Sequence, residues 1–374
     1  MGNDLMPNAQ LSSLTLRGFK SIKDLTDFPL EPVNLLIGAN GAGKSNLLSF
    51  FRMLSYGLNT PGELQSFIGQ AGGANALLHD GAHTTREIEA GLTLMTGQGM
   101  NDYAFRLSWA AGDTLIFVDE RFRFSKSALG DHGRWHSLDA GHKEARLPEQ
   151  AVRHTTAQAI YRELRRFRQF QFHNTSDTAR VRTKWHVEDG RHLKEDGANL
   201  APFLYRLAQH HPAHYLLITD TIRQVAPFFA DFEFVSGYDR ILLSWRERDC
   251  DLVFNASQAA DGLLRFMILA ALLLQPAADL PSLILLDEPE LGLHPFAIDL
   301  LGELIQSASA HTQFIVATQS ATLLDNFSPE QTVVVTRDGR ASGLRRLQSD
   351  ELDEWLQEYT LSELWRKNVV GGRP

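Results

Sequence analysis

One cysteine, Cys250, stands in a chain of 374 residues. An intrachain disulfide is therefore impossible and a thiolate-bound metal centre lacks ligands, which points to a reducing, cytoplasmic setting. Long apolar runs are also missing. The longest, Phe266–Leu274, holds nine residues, against about 20 for a membrane-spanning helix. The opening MGNDLMPNAQ has no charged-then-apolar signal pattern, so a soluble protein with no membrane partner is expected. There is no excess of positive charge. The net charge of −9 argues against a chain coated in nucleic acid, while a local basic strip stays possible. Repeats, low-complexity tails and sustained heptads are absent too, so neither a solenoid nor a long coiled coil is expected. What remains is ordinary globular material. Its length suffices for one large domain, or for a core with a substantial insertion.

The order of patterns along the chain indicates an α/β protein. LSSLTLRGF (residues 11–19) alternates as a strand. VNLLIGANGAGKSNLLSFFRML reads as a buried strand, a Gly-rich turn and an amphipathic helix. Residues 85–124 carry three strand-like runs separated by Gly-containing turns, as an antiparallel β-lobe would. The polar, Gly-rich 125–148 reads as a loop or hairpin. Residues 149–168 and parts of 199–227 read as helices, and two short strands are expected near 232–246. The last third alternates: strand 282–287, helix 296–309, strands 313–317 and 332–336, as in parallel α/β layers.

Three of these elements carry chemistry. GANGAGKS, Gly38 to Ser45, matches G-x-x-x-x-G-K-[ST] between a predicted strand and a predicted helix. Glycines let backbone N–H groups point inward around phosphate oxygens, and the helix N-terminus adds partial positive charge. Lys44 is expected on the β- and γ-phosphates and Ser45 on Mg²⁺. The cradle comprises Gly38, Ala39, Asn40, Gly41, Ala42, Gly43, Lys44, Ser45 and Asn46. In LILLDEPELGLHP a buried strand ends in Asp287 and Glu288. Asp287 suits Mg²⁺ opposite Ser45, and Glu288 suits a general base for an attacking water. A third strand, in FIVATQSATLLD, ends at Thr318, Gln319 and Ser320. Strand ends in such sheets face the ligand crevice, so Gln319 is a candidate for the γ-phosphate or the water, with Ser320 a helix cap.

The succession LTLRGFKSI, LLIGANGAGKSNLL, ADGLLRF, LLDEPELGLHP and VATQSATLLD resembles the ABC-type ATPases of the RecF, SMC and OLD group, and among them the compact bacterial ATPases without a coiled coil. YTLSELWRKNVVGGRP near the C-terminus is similar to that group as well. The resemblance implies one P-loop NTPase head of ABC type over 1–374, with the β-lobe at 85–124 and a helical lobe and signature region at 149–260. It implies ATP and Mg²⁺ as ligands and two heads closing face to face over two ATP molecules. It also implies that AADGLLRF is the signature, where Ala260, Asp261 and Gly262 open a helix toward the partner head's γ-phosphate. Ala260 stands where a serine is usual, and Arg265 follows one turn on. Gln319 stands where ABC transporters carry His, and Gln70 or His79 is a candidate for the Q-loop residue. Arg17, Phe19 and Lys20 border the nucleotide on this resemblance, or else are ordinary core and surface residues. OLD-type nucleases carry a further catalytic domain after the ATPase, and none is expected within these 374 residues.

Fainter signals have blander readings. Arg162, Arg165, Arg166 and Arg168 in YRELRRFR suit a phosphate backbone or a solvated helix face. His132, His136 and His142 lie in a polar loop without the carboxylates or cysteines of a metal site. Asp350, Glu351, Asp353 and Glu354 read as an exposed helix face, with Trp355 and Leu356 turned inward. The expected function is an ATP-hydrolysing switch that dimerises around nucleotide and acts on DNA, a partner protein or a nuclease, in DNA repair or phage defence. The alternative is a nucleotide-gated scaffold with little turnover.

Overall fold

In the computed structural model, residues 9–59, 62–126, 133–234 and 239–373 are described. A six-stranded sheet forms the centre. Its order is Ala341–Arg346, Thr332–Asp338, Val33–Ile37, Gln313–Thr318, Leu283–Asp287, Phe167–Phe170. All neighbours are parallel except the outermost hairpin of Thr332–Asp338 with Ala341–Arg346. Every residue of Val33–Ile37 and Gln313–Thr318 is buried, as expected of strands covered on both faces. Successive side chains leave a strand on opposite faces, and this divides the interior in two. Leu35, Ile284, Leu286, Phe314 and Val316 join one core, with the helices Leu200–His210, Pro212–Val225, Asp261–Leu273 and Pro295–Ala308. Leu36, Leu283, Leu285, Ile315 and Ala317 join the other, with the helix Lys44–Asn59 and an antiparallel sheet.

That second sheet is larger than the run 85–124. Its order is Ile22–Pro29, Gln10–Phe19, Glu87–Thr96, Gly99–Ala110, Thr114–Ser125 and His136–Ser137, so the N-terminal hairpin belongs to it. The buried amide of Gln313 links the two sheets. It accepts from Leu11 N at 3.0 Å and donates to Leu11 O at 2.9 Å and Glu31 O at 3.0 Å, which continues the strand pairing across the gap.

The region 149–260 is mixed rather than helical throughout. A helix spans Thr155–Leu164, but Phe167 and Arg168, expected as its end, belong to Phe167–Phe170, an edge strand of the central sheet. Phe167 and Phe170 enter opposite cores, so burial on two faces overrides the helical pattern. After the helices Leu200–His210 and Pro212–Val225 comes a small sheet of Phe229–Phe232, Ser244–Glu247 and Val253–Asn255. Trp355 is 46% exposed, with its ring tilted against that of Tyr359, while Leu356 is half-buried, so the expected inward turn holds only for Leu356. Among the described residues no helix is long and apolar enough to cross a membrane.

Candidate functional site

The strand Val33–Ile37 ends in a loop whose backbone only glycine tolerates at its bends. Gly43 has φ +112°, and a Cβ there would lie 2.0 Å from Ser342 Oγ. Gly38 presses against Val335 O in the same way. The loop is held by its surroundings: Ser342 Oγ donates to Ala42 O, Arg337 Nη1 to Gly41 O at 3.0 Å, and Asn46 Nδ2 to Ser21 Oγ at 2.7 Å. Lys44 is buried, and its ammonium donates to Gly38 O at 2.6 Å and Ala39 O at 3.2 Å. Burial lowers its pKa, opposed by the charges of Glu288, Asp287 and Glu290. Asn40, Gly41 and Ser45 are exposed at the loop's open side.

Asp287 lies two strands away, at the C-terminal end of Leu283–Asp287. Ser45 Oγ reaches its Oδ1 at 3.3 Å, bridging 242 residues of sequence. Burial raises the pKa of the Asp287 carboxyl, eased by the Ser45 hydrogen bond. A hydroxyl and a carboxylate side by side, all oxygen, are the donor set of Mg²⁺. The chain turns sharply after Asp287: Glu288 sits at φ +45°, an uncommon backbone for a residue with a Cβ. The Gln319 side-chain amide donates to Glu288 Oε1. Glu290 is buried and accepts from Thr318 Oγ1, and from Gln319 N at 3.3 Å. Ser320 caps the short helix that follows, accepting from Leu323 N at 3.1 Å. Cation, amides, hydroxyl and carboxylates thus gather at the C-terminal edge of one parallel sheet.

A family model described as an AAA domain, putative AbiEii toxin, Type IV TA system matches residues 33–325. The chain belongs to this AAA family. No curated protein matches it. Among solved structures, an SMC head bound to the C-winged helix domain of ScpA superposes with a TM-score of 0.61 at 14% identity, covering 93% of this chain and 100% of that one. The SMC head with an extended coiled coil bound to the C-terminal domain of ScpA, from Pyrococcus furiosus, gives 0.58 at 13% identity, with 94% and 99% covered. This AAA-family chain has the ABC-type P-loop ATPase fold of SMC heads.

Within that family fold, the site contains a residue that the sequence patterns did not reveal. His173 follows the edge strand Phe167–Phe170, and its Nε2 lies 2.9 Å from Asp287 O. It lies past the helix expected at 149–168, in a stretch with no strand or helix pattern of its own. The two candidates for the Q-loop residue have partners of their own: exposed Gln70 donates from Nε2 to Ser66 Oγ at 3.2 Å, and buried His79 packs Nδ1 against Lys20 O at 2.7 Å. Of the N-terminal trio, Arg17 pairs with Asp24 and Glu89, and Phe19 is core. Lys20 donates to Ser49 Oγ and, with Ser21, Asn46, Asp80 and Arg337, lines a cavity of about 400 Å³ next to the phosphate loop.

Ala260 is the N-cap of the helix Asp261–Leu273, without a side-chain capping bond. Ala260 and Asp261 are exposed, and Asp261 Oδ1 accepts from buried Arg182 Nη2 at 2.7 Å. Gly262 lies against the turn after Glu290: a Cβ there would meet Gly292 O at 2.4 Å. Arg265 does not face outward with them. It is 4% exposed, and its Nε donates to Phe172 O at 2.9 Å, with Nη2 at 3.3 Å from Thr175 Oγ1. The guanidinium satisfies polar groups of the segment carrying His173, which accounts for an arginine in a buried helix.

The arginines of YRELRRFR and the described loop histidines have local partners. Arg162 pairs with Glu163, Arg165 stacks over Tyr161, Arg166 donates to Leu280 O, and Arg168 to Arg165 O and Phe167 O. His136 stacks on Phe122 and His142 on Phe117; His132 lies outside the described residues. Glu351 pairs with Arg345 at 3.0 Å, and Asp350, Asp353 and Glu354 are exposed.

Proposed function

We propose that the protein binds Mg-ATP and hydrolyses it as a nucleotide-driven switch. One observation carries this reading: Ser45 and Asp287, far apart in sequence, stand 3.3 Å apart beside Lys44 and Glu288. In this reading the amides of Gly38 to Asn46 and the Lys44 ammonium hold the phosphates. Ser45 and Asp287 hold Mg²⁺, with His173 bordering that position. Bound there, the ion supplies charge neutralisation for the transferring phosphoryl group. Glu288 takes the proton of the attacking water, and Gln319 orients Glu288 through its amide. The cavity lined by Lys20, Ser21 and Asn46 receives the nucleoside. Catalysis is then mostly positioning and electrostatics.

The exposed start of the helix Asp261–Leu273 extends the reading to a dimer. Its free N–H groups suit an anion, and Ala260, Asp261 and Gly262 would meet the γ-phosphate held by a second head. SMC heads of the same fold bind a winged-helix domain of ScpA. A protein partner, DNA or a nuclease is the corresponding target here, in DNA repair or phage defence and in the cytoplasm, with 1–374 working as a single head.

The test is turnover by purified protein with and without Mg²⁺ and DNA. Hydrolysis is expected only with Mg²⁺, and Glu288→Gln should keep ATP binding while lowering turnover by about 10²–10⁴. Equal rates in wild type and variant would remove Glu288 from this role. A second reading, a nucleotide-gated scaffold, is favoured by the absent hydroxyl at Ala260; ATP binding with no wild-type turnover would support it.

A further inference from the structure

Glu290 is a buried carboxylate to which the hydrolytic reading gives no task. It is 9% exposed, and one oxygen, Oε2, is buried without a hydrogen-bond partner. The other, Oε1, accepts from Thr318 Oγ1 and from the backbone N–H of Gln319 at 3.3 Å. Thr318 Oγ1 in turn accepts from Ser320 N at 2.9 Å. Three consecutive residues at the end of the strand Gln313–Thr318 are thereby tied to one carboxylate on the neighbouring strand's turn. The same turn carries Glu288, and Gln319 returns a bond to it: its side-chain amide donates to Glu288 Oε1. The result is a closed circuit, from the Glu290 carboxylate to the Gln319 backbone, from the Gln319 amide to Glu288, and back along the chain through Pro289.

The circuit matters because Glu288 has little else to fix it. Its backbone is in the left-handed region, and its side chain is only partly buried. A buried carboxylate with an unbonded oxygen is costly, and an amide of the same shape would lower that cost. Retaining the carboxylate there fits a role in the site better than a role in stability.

We infer that Glu290 is a positioning residue for hydrolysis: it orients Gln319, and through Gln319 the carboxylate that activates water. It acts through its neighbours. The inference rests on the proposed ATPase reading, and on Glu288 as its base.

The experiment is a double-mutant cycle on steady-state ATP turnover with wild type, Glu290→Met, Gln319→Ala and the double variant, and Glu288→Gln as reference. Glu290→Met keeps the side-chain length and removes both acceptor oxygens. It is expected to lower kcat about tenfold to a hundredfold, the scale of a small misplacement of a catalytic group, with KM for ATP within about twofold of wild type. If Glu290 works through Gln319, the double variant is no slower than Gln319→Ala alone. Additive losses, or an unchanged kcat in Glu290→Met, overturn the inference while wild-type turnover and its loss in Glu288→Gln leave the ATPase reading standing. Absence of wild-type turnover defeats both. Fluorescent-nucleotide binding reports folding; if Glu290→Met does not bind, Thr318→Val, which removes one donor to the same carboxylate, takes its place in the cycle under the same criteria.

Discussion

Restoring a hydroxyl at position 260 separates two roles of one helix start. Ala260 caps the helix Asp261–Leu273 with extended backbone, φ −62° and ψ 142°, and no side-chain bond. In Ala260→Ser the hydroxyl can accept from the first-turn N–H groups, a change worth about 1 kcal/mol. Unfolding entropy is about 2.1 cal/mol/K per residue, so for 374 residues the expected rise in Tm is only about 1 °C. The effect on association is far larger if the same hydroxyl meets a partner's phosphate. A hydrogen bond to a charged group contributes about 1.5–3 kcal/mol, or about tenfold to a hundredfold in affinity. A two-fold symmetric pair of heads makes that contact twice. The assay is analytical ultracentrifugation with ATP and Mg²⁺ in a Glu288→Gln background, which holds ATP unhydrolysed. Tighter ATP-dependent self-association is expected, and no change without nucleotide. A small thermal gain with unaltered association would refute the reasoning: the position would be a helix cap and nothing more.

Three further outcomes follow from the packing. Arg265→Met strands the carbonyl of Phe172 and the hydroxyl of Thr175 and should destabilise by about 3 kcal/mol; a loss below about 1 kcal/mol in urea titration contradicts that burial. Gly43→Ala, with φ +112° and a Cβ 2.0 Å from Ser342 Oγ, should weaken fluorescent-nucleotide binding about tenfold or more. Gly41→Ala, whose Cβ approaches only Arg337 Nη1 at 3.6 Å, should weaken it less, and the reverse order would count against the loop geometry. Burial raises the pKa of Glu290, so the folded state holds that proton more tightly than the unfolded chain. Its protonated form is stable below the usual carboxylate range, and stability is lost as pH rises through the raised value. Glu290→Gln, which cannot titrate, should therefore gain on wild type between pH 4 and pH 7, read as the difference in denaturant midpoints; a constant difference would refute the assignment.

Some of this architecture is written locally. In GANGAGKS and LILLDEPE the spacing itself carries the geometry: a buried strand, a turn and a polar end are contiguous, and few conformations fit them. The strands expected at 313–317 and 332–336 and the helix at 296–309 were legible because a short apolar run or helical periodicity marks each without reference to a partner. Phe167–Phe170 was not legible. Four residues behind a helix look like its last turn until the strand Leu283–Asp287 is beside them. With that strand went His173, a lone histidine in a polar stretch.

The sequence by itself therefore determined the α/β class, the phosphate loop and the acidic strand end, because these depend on neighbours within a few residues. Tertiary structure decided what the remaining polar groups do. Arg265 looked like part of an outward-facing signature, yet it bonds a carbonyl 93 residues away. Glu290 carried no reading from the sequence, yet it clamps Thr318 and Gln319 from 28 and 29 residues off. The physical reason is common to both. A buried polar side chain takes its role from the donor or acceptor it must satisfy, and that partner is named only when the chain has brought distant strands together.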